Sequence, residues 1–256
     1  MAREKNLTLG AGKLFFDRWD ENDEPTGEFY IGNTTTLTRS IDEERQEHYS
    51  SDTAEREKDA SIVTRSDVSL GFTTDDIQPE NIALMFKGTK ETLSIAPATG
   101  ESEVLVVNRG RWYQLGVDTA NPTGLRGLTG LVLTGITNTN NVNFIFDGTL
   151  GRFYVQDEAP DISDGESVTA TYDVEGSSRT IFIGQGDQVR GSLRYIADNT
   201  TGPNVDYYWP KVEISPDGDY EFKGDSWNEM SFSGEVLKRD DDTAKEYGDG
   251  RPTIST

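Results

Sequence analysis

The residue best suited to catalysis in this 256-residue chain is its single histidine, His48. Histidine is the usual base of nucleophilic catalysis, where it needs an orienting partner and a pocket. His48 lies instead in a charged segment, residues 42–59, in which eight of eighteen residues are acidic and three are basic. A lone histidine in such a segment is ordinarily a surface residue, so the sequence predicts no catalytic triad.

Two glycine-rich stretches superficially look like phosphate-binding loops. The GAGK at 10–13 has Leu7 and Leu14 where a P-loop needs a glycine and a hydroxyl residue. The GQGDQVRG at 184–191 has the wrong glycine spacing for a dinucleotide fingerprint, and no βαβ unit follows it. We therefore expect no nucleotide cofactor at either place.

Acidic turns and tryptophans provide the remaining candidates. Asp217, Asp219 and the triplet 240–242 could bind calcium, but none has the ligand spacing of an EF-hand. The 46 acidic residues leave a hydrolase with dispersed carboxylates open, although no pair stands out. Trp209 and Trp227 could form a carbohydrate platform, whereas packing is the ordinary role of tryptophan. The sequence thus predicts no catalytic, cofactor-binding or metal-binding residues.

Composition narrows the class of protein. A net charge of −22 and a pI near 4.3 argue against ordinary nucleic-acid binding, because affinity for phosphates comes largely from Lys and Arg. The same charge suits a wall past which DNA slides without sticking. The chain has no cysteine for disulfides or a thiolate zinc site. It shows no apolar run of signal-peptide or membrane-span length, which predicts a soluble intracellular product without a membrane partner.

The elements that must position any site are predicted to be strands. Turn signals recur at short intervals, with β-branched and aromatic runs between them, which predicts an all-β sandwich or barrel. The predicted strands are 28–41, 60–74, 102–108, 112–117, 128–136, 142–147, 151–156, 166–174, 179–186, 189–198, 210–216, 220–224 and 230–238. In the predicted strand 60–74, four even-numbered residues are predicted to form the buried face: Ile62, Val68, Leu70 and Phe72.

One short helix is predicted at 79–87. Pro79 suits the first turn, Glu80 favours the positive end of the helix, and Gly88 supplies the stop. Packing on a sheet is predicted for an apolar stripe of three residues, Ile82, Met85 and Phe86.

The charged segment 42–59 is a long excursion between two strands that are predicted to pair. An extended arm or hairpin tip, disorder, and a short helix capped by Ser40 and Glu43 are all compatible with its residues. A charge run is usually a solvated face, but projecting strand ends with alternating charges can dock onto another subunit. The rest of the chain is predicted to form one β domain over 1–238, followed by a polar C-terminal arm at 239–256.

The order of these elements resembles the major tail proteins, or tail tube proteins, of long-tailed bacteriophages. The resemblance begins with LGAGKLFFDRWDENDEPTGEFYIGNTTTLT at 9–38, EERQEHYSS at 43–51 and the strand-to-helix element TTDDIQPENIALMFKG at 73–88. It continues through WYQLG, FDGTLGRFYV, DGESVTATYDV and the stretch 189–225, so it spans almost the whole chain.

The resemblance implies a non-enzymatic virion protein with a β-sandwich or barrel and a flanking helix. Subunits of this kind form hexameric rings that stack into a hollow tube, and DNA passes through the bore without specific binding. The implied partners are further copies of the chain and the tape measure and tail terminator proteins. The implied location is the virion tail, assembled in the host cytoplasm.

The resemblance also assigns the charged arm to contacts between rings. The residues expected at that contact are Asp42, Glu43, Glu44, Arg45, Glu47, His48, Tyr49, Glu55, Arg56, Glu57 and Lys58. A tube from a contractile tail or a secretion-system ring protein would share the fold. The alternative class is a secreted or surface β-sandwich module that binds carbohydrate or calcium.

Overall fold

The computed structural model describes residues 7–52, 54–136, 141–186 and 188–251. Within these residues the chain forms sixteen strands and one helix, which confirms the predicted all-β class with one short helix. The elements are β1 (Gly12–Trp19), β2 (Pro25–Tyr30), β3 (Thr34–Tyr49), β4 (Lys58–Thr74), α1 (Pro79–Met85), β5 (Gly88–Ile95), β6 (Ala98–Val107), β7 (Arg111–Gln114), β8 (Leu128–Thr134), β9 (Phe144–Asp147), β10 (Arg152–Val155), β11 (Glu166–Val174), β12 (Ser177–Gly184), β13 (Val189–Ala197), β14 (Val205–Pro216), β15 (Met230–Val236) and β16 (Tyr247–Gly250).

The chain separates into two compact units, whereas the sequence predicted a single domain over 1–238. Unit 1 comprises Met1–Glu91 and Phe182–Thr256, and unit 2 comprises Thr92–Ile181. The boundaries fall inside β5 and β12, which pair with each other. Because the chain passes between the units as strands, no Pro- or Gly-rich linker marks the boundary in the sequence.

Unit 1 is built on one eight-stranded sheet. Seven strands follow the order β2-β1-β13-β14-β15-β4-β3, and β16 pairs with β14 beside this path. The named pairings are antiparallel. The strands β2 and β3 stand at the two ends of this order and form the edges of the sheet. The core lies on one face of this sheet, where the rings of Phe72 and Phe232 stack with centroids 5.1 Å apart.

The predicted inward parity of β4 holds only for its second half. Val68, Leu70 and Phe72 are buried, as predicted. Ile62 is 63% exposed, so its predicted place on the buried face is wrong. The reason is that β15 ends where Val236 faces Val68, and the first half of β4 therefore has no core to pack against.

The helix ends two residues before its predicted limit at 87. Phe86 forms the C-cap, and Lys87 adopts a left-handed backbone with φ of 48°. A helix of L-residues does not continue through that conformation, and β5 begins at the next residue.

The buried face of α1 differs from the predicted stripe. Leu84 and Asn81 are buried in unit 1, while Ile82 and Met85 pack only partly against the core and Phe86 is exposed. The amide of Asn81 donates to two backbone carbonyl oxygens, those of Ile31 at 2.6 Å and Asp76 at 2.8 Å. These two bonds fix the loop before the helix, because a buried amide nitrogen without acceptors would be destabilising there.

Unit 2 contains two three-stranded sheets, β6-β11-β8 and β7-β10-β9. Its separate core is centred on Phe153, which contacts Phe144 edge-to-face with ring centroids 6.3 Å apart. Tyr172 of β11 is buried in the same core and donates its hydroxyl to Glu103 Oε1 at 2.9 Å. Burial, together with this acceptor, raises the pKa of Tyr172 well above its ordinary value.

We expect unit 2 to lose stability at alkaline pH because of Tyr172. An unfolded tyrosine loses its proton near pH 10, whereas the folded Tyr172 retains its proton to higher pH. Stability therefore falls as pH rises above about 10, since only the unfolded state releases the proton there. Thermal unfolding between about pH 9 and 11.5 should show a flatter pH dependence for Tyr172→Phe than for the natural chain. Identical slopes for the two proteins would contradict this assignment.

One predicted strand is absent from the described residues. The segment 220–224 belongs to the connection between β14 and β15. Its aromatic content comes from Tyr220 and Phe222, whose rings meet edge-to-face at 4.9 Å. These two aromatic residues gave the segment a strand-like sequence pattern, whereas in the structure their rings pack against each other within a connection.

Candidate assembly surface

The charged segment folds as the outer part of a long β-hairpin. β3 and β4 remain paired from Thr34 and Thr74 out to Tyr49 and Lys58. We call residues 41–67 the ribbon, because this part of the hairpin begins where β15 ends and continues past it. The predicted loop at 42–59 is thus mostly strand, and only residues 50–57 connect the two strands.

The structure brings all eleven predicted contact residues to the ribbon, and all are exposed. Seven lie in β3 (Asp42, Glu43, Glu44, Arg45, Glu47, His48 and Tyr49), Lys58 begins β4, and Glu55, Arg56 and Glu57 lie in the connection. Two irregularities interrupt the register, one between Glu44 and Arg45 and one between His48 and Tyr49. Bulges of this kind increase local twist, which makes an exposed strand pair a poor template for uncontrolled pairing.

Several charged side chains of the ribbon form ion pairs with one another. Arg45 contacts Glu43 at 2.6 Å, and Arg65 contacts Asp67 at 2.5 Å. Lys58 pairs across the strands with Glu47. Exposed ion pairs contribute little to stability, so these contacts orient the side chains more than they hold the ribbon.

His48 has a partner but no pocket. Its Nδ1 lies 2.5 Å from Oδ1 of Asp59, and both side chains are largely exposed. This pairing gives the histidine an orienting carboxylate on an open surface, where a substrate would not be shielded from water. His48 is therefore an exposed surface residue in this structure.

Glu47 is the most connected carboxylate on the ribbon. Hydrogen bonds from Lys58 and from the Tyr49 hydroxyl lower the pKa of Glu47. The bond to Glu47 in turn raises the pKa of Tyr49. Glu47 is therefore charged at neutral pH and accepts the Tyr49 hydroxyl at 2.7 Å, which restrains the Tyr49 side chain.

The ribbon also carries apolar side chains that remain about half exposed or more in the described chain. Ile41, Tyr49, Ile62 and Val63 are all exposed. A two-stranded hairpin without a buried face is marginally stable in water. A partner that covers these side chains would therefore order the ribbon as well as bind it.

The C-terminal segment was predicted to form a polar arm over 239–256. Its described part is instead anchored to unit 1, since β16 pairs with residues 205–208 of β14. Glu246 receives two hydrogen bonds from Arg39, which hold the pKa of Glu246 below its usual range. Residues 252–256 of the predicted arm lie outside the described residues. The sequence carried no clear signal for this docking, and one of its partners, Arg39, is 207 positions away from Glu246.

The other candidates from the sequence do not assemble into a site. The Asp240 carboxylate accepts the Asp242 N–H at 3.1 Å, which is turn chemistry. Trp209 is buried in the core of unit 1, whereas Trp227 is 92% exposed. Among the described residues, no group of three or more His, Asp or Glu side chains could hold a metal ion. No helix in this part of the chain is long and apolar enough to cross a membrane.

Comparison with known proteins places the chain in a family whose description assigns no activity. No curated protein matches the chain. A family model described as "protein of unknown function UCP028589" matches residues 7–250. This match covers nearly the full length, and the chain therefore belongs to that family.

Proposed function

We propose that this protein is the structural subunit of a phage tail tube, in which hexameric rings stack into a hollow cylinder. The observation that carries this proposal is the ribbon. It extends beyond the sheet, exposes Ile62 and Val63, and buries no core of its own. Such an element gains stability only when another molecule covers it, which favours an assembly protein over a monomeric module.

The charge of the protein supports the same function. A net charge of −22 repels phosphates, so a bore lined by such subunits would let DNA pass without adhesion. In this proposal, the ribbon contacts the neighbouring ring, and tape measure and tail terminator proteins meet the tube inside and at its end. The assembly takes place in the host cytoplasm and the product resides in the virion tail.

A carbohydrate-binding module is the second candidate function. The observation that favours it is the exposure of two aromatic side chains in the connection between β14 and β15. Trp227 is 92% exposed and Phe222 is 76% exposed. Exposed aromatic rings suit stacking against sugars, and they equally suit protein interfaces.

Electron microscopy of the purified protein tests the proposal directly. We expect negative-stain images to show rings or tubes with sixfold symmetry at concentrations where ring contacts are saturated. Sedimentation at the same concentrations should show hexamers or larger species. A monomer at high concentration would contradict the proposal. A monomer that binds glycans, and loses that binding in Trp227→Ala, would favour the second candidate.

A further inference from the structure

A groove of about 410 Å³ runs along the free edge of β3 in unit 1. Residues 34–39 of β3 form one wall, and residues 10–12, at the start of β1, contribute to the lining. The remaining lining comes from three strands of the same sheet through Leu70, Tyr195, Tyr207 and Trp209. The groove therefore lies beside the edge strand β3 and has apolar side chains of β4, β13 and β14 in its lining.

Among the described residues, no strand pairs with the outer edge of β3. β3 pairs with β4 on one side and is the last strand of the sheet order on the other. An edge strand presents N–H and C=O groups that an extended peptide can pair with. Peptides that bind in this way add a strand to the sheet and place alternate side chains in adjoining pockets.

The chain itself contains a segment with the features of such a peptide. Leu7 and Leu9 are 70% and 67% exposed, although each has a large apolar side chain. They are two residues apart, so they point to the same side of an extended segment. Within the described residues, this segment lies against Gly202 and forms an isolated bridge in which the Leu9 N–H donates to Thr201 O at 3.1 Å.

The segment does not occupy the groove of its own chain. The lining of the groove begins at Gly10 and does not include residues 7–9, and Leu9 is bonded to Thr201 in the β13–β14 connection. The groove of one copy and the leucines of another are therefore both available for a contact between copies. Because the two surfaces are unlike, the contact would be head-to-tail and can repeat around a closed ring.

We propose that residues 7–9 of one copy add as a strand to the β3 edge of a second copy. Leu7 and Leu9 then lie against the groove, where Leu37 and Tyr207 offer accessible apolar surface. Three extended residues span about 10 Å, and the six residues of the β3 wall span about 20 Å, so the segment fits along it. This inference rests on the self-assembly proposed above and names one contact that carries it.

Disulfide trapping tests this contact, because the natural chain has no cysteine. One preparation carries Leu9→Cys and a second carries Thr36→Cys, and the two are mixed under mild oxidation. A disulfide forms only when the two Cα atoms come within about 7 Å. Thr26→Cys, on the opposite edge strand β2, replaces Thr36→Cys as the matched control. We expect a yield of mixed dimer on the order of tenfold higher with Thr36→Cys than with Thr26→Cys.

A double variant, Leu9→Cys with Thr201→Cys, shows whether the introduced thiol at position 9 is reactive, since these residues are bridged in one chain. Equal yields with the two partners, or no mixed dimer, would overturn the inference. A second double variant carries Leu9→Cys and Thr36→Cys in the same chain. A disulfide within that chain, detected at monomer mass, would also overturn the inference, because the segment would then fill its own groove.

Microscopy of the same samples separates this inference from the proposed function. Tubes without the 9–36 disulfide would overturn the contact and leave the tube function standing. A 9–36 dimer that never forms rings would support the contact and contradict the tube function. Monomers without the disulfide would overturn both.

Discussion

Shortening the ribbon is expected to abolish tube formation while the subunit stays folded. In this variant, residues 44–65 are replaced by Asn-Gly, which joins Glu43 to Ser66. These two residues face each other in the ladder, and Asn-Gly suits a two-residue hairpin turn. Nearly every described residue that is removed is exposed, so the free energy of unfolding should change by less than about 1 kcal/mol.

Negative-stain microscopy and thermal unfolding together measure this result. Tubes from the shortened variant at the natural yield would remove the ribbon from the assembly mechanism. A second variant replaces only residues 51–56 with Asn-Gly and keeps the ladder as far as Tyr49 and Lys58. If that variant still forms tubes, the contact lies on the paired strands, whereas loss of tubes would assign it to the tip.

Truncating the central phenylalanines should destabilise the two units separately. Phe232 and Phe153 are almost wholly inaccessible to solvent, each in the core of its own unit. Replacing a buried phenylalanine with alanine typically costs about 3–5 kcal/mol, from lost apolar burial and the cavity left behind. We therefore expect Phe232→Ala to destabilise unit 1 and Phe153→Ala to destabilise unit 2 by amounts in this range.

Hydrogen exchange read by mass spectrometry resolves the two units. In Phe153→Ala, amides of unit 2 should lose protection while those of unit 1 keep theirs, and Phe232→Ala should show the reverse. The matched control is Phe222→Ala, whose side chain is 76% exposed and should change stability by less than about 0.5 kcal/mol. Equal loss of protection across both units in either core variant would mean that the chain unfolds as one cooperative body.

The sequence predicted the strands best where neighbouring contacts reinforce local preference. The alternation at Val68, Leu70 and Phe72 is visible in the sequence because one side of that strand meets the core. The same alternation was misleading at Ile62, where the strand leaves the sheet. The position at which β15 stops is a long-range property, and periodicity within β4 does not contain it.

The helix and the assembly surface were predicted with different success. The helix start at Pro79 followed from local chemistry, but the buried role of Asn81 depends on carbonyl groups of other segments. The charges that project at 42–59 were visible from composition, whereas their strand conformation required pairing across the hairpin. The docking of Glu246 on Arg39 and the groove beside β3 were not predictable, since both join residues far apart in the sequence.

The pairing of β5 with β12 makes unit 2 an insertion cassette. One uninterrupted stretch, Thr92–Ile181, leaves and re-enters unit 1 on two strands that lie side by side. Inserted domains with adjacent ends can be lengthened, trimmed or exchanged while the host sheet keeps its register. Evolution can therefore vary unit 2 under selection separate from that on the ribbon, and an engineer can substitute another domain at the same two strands.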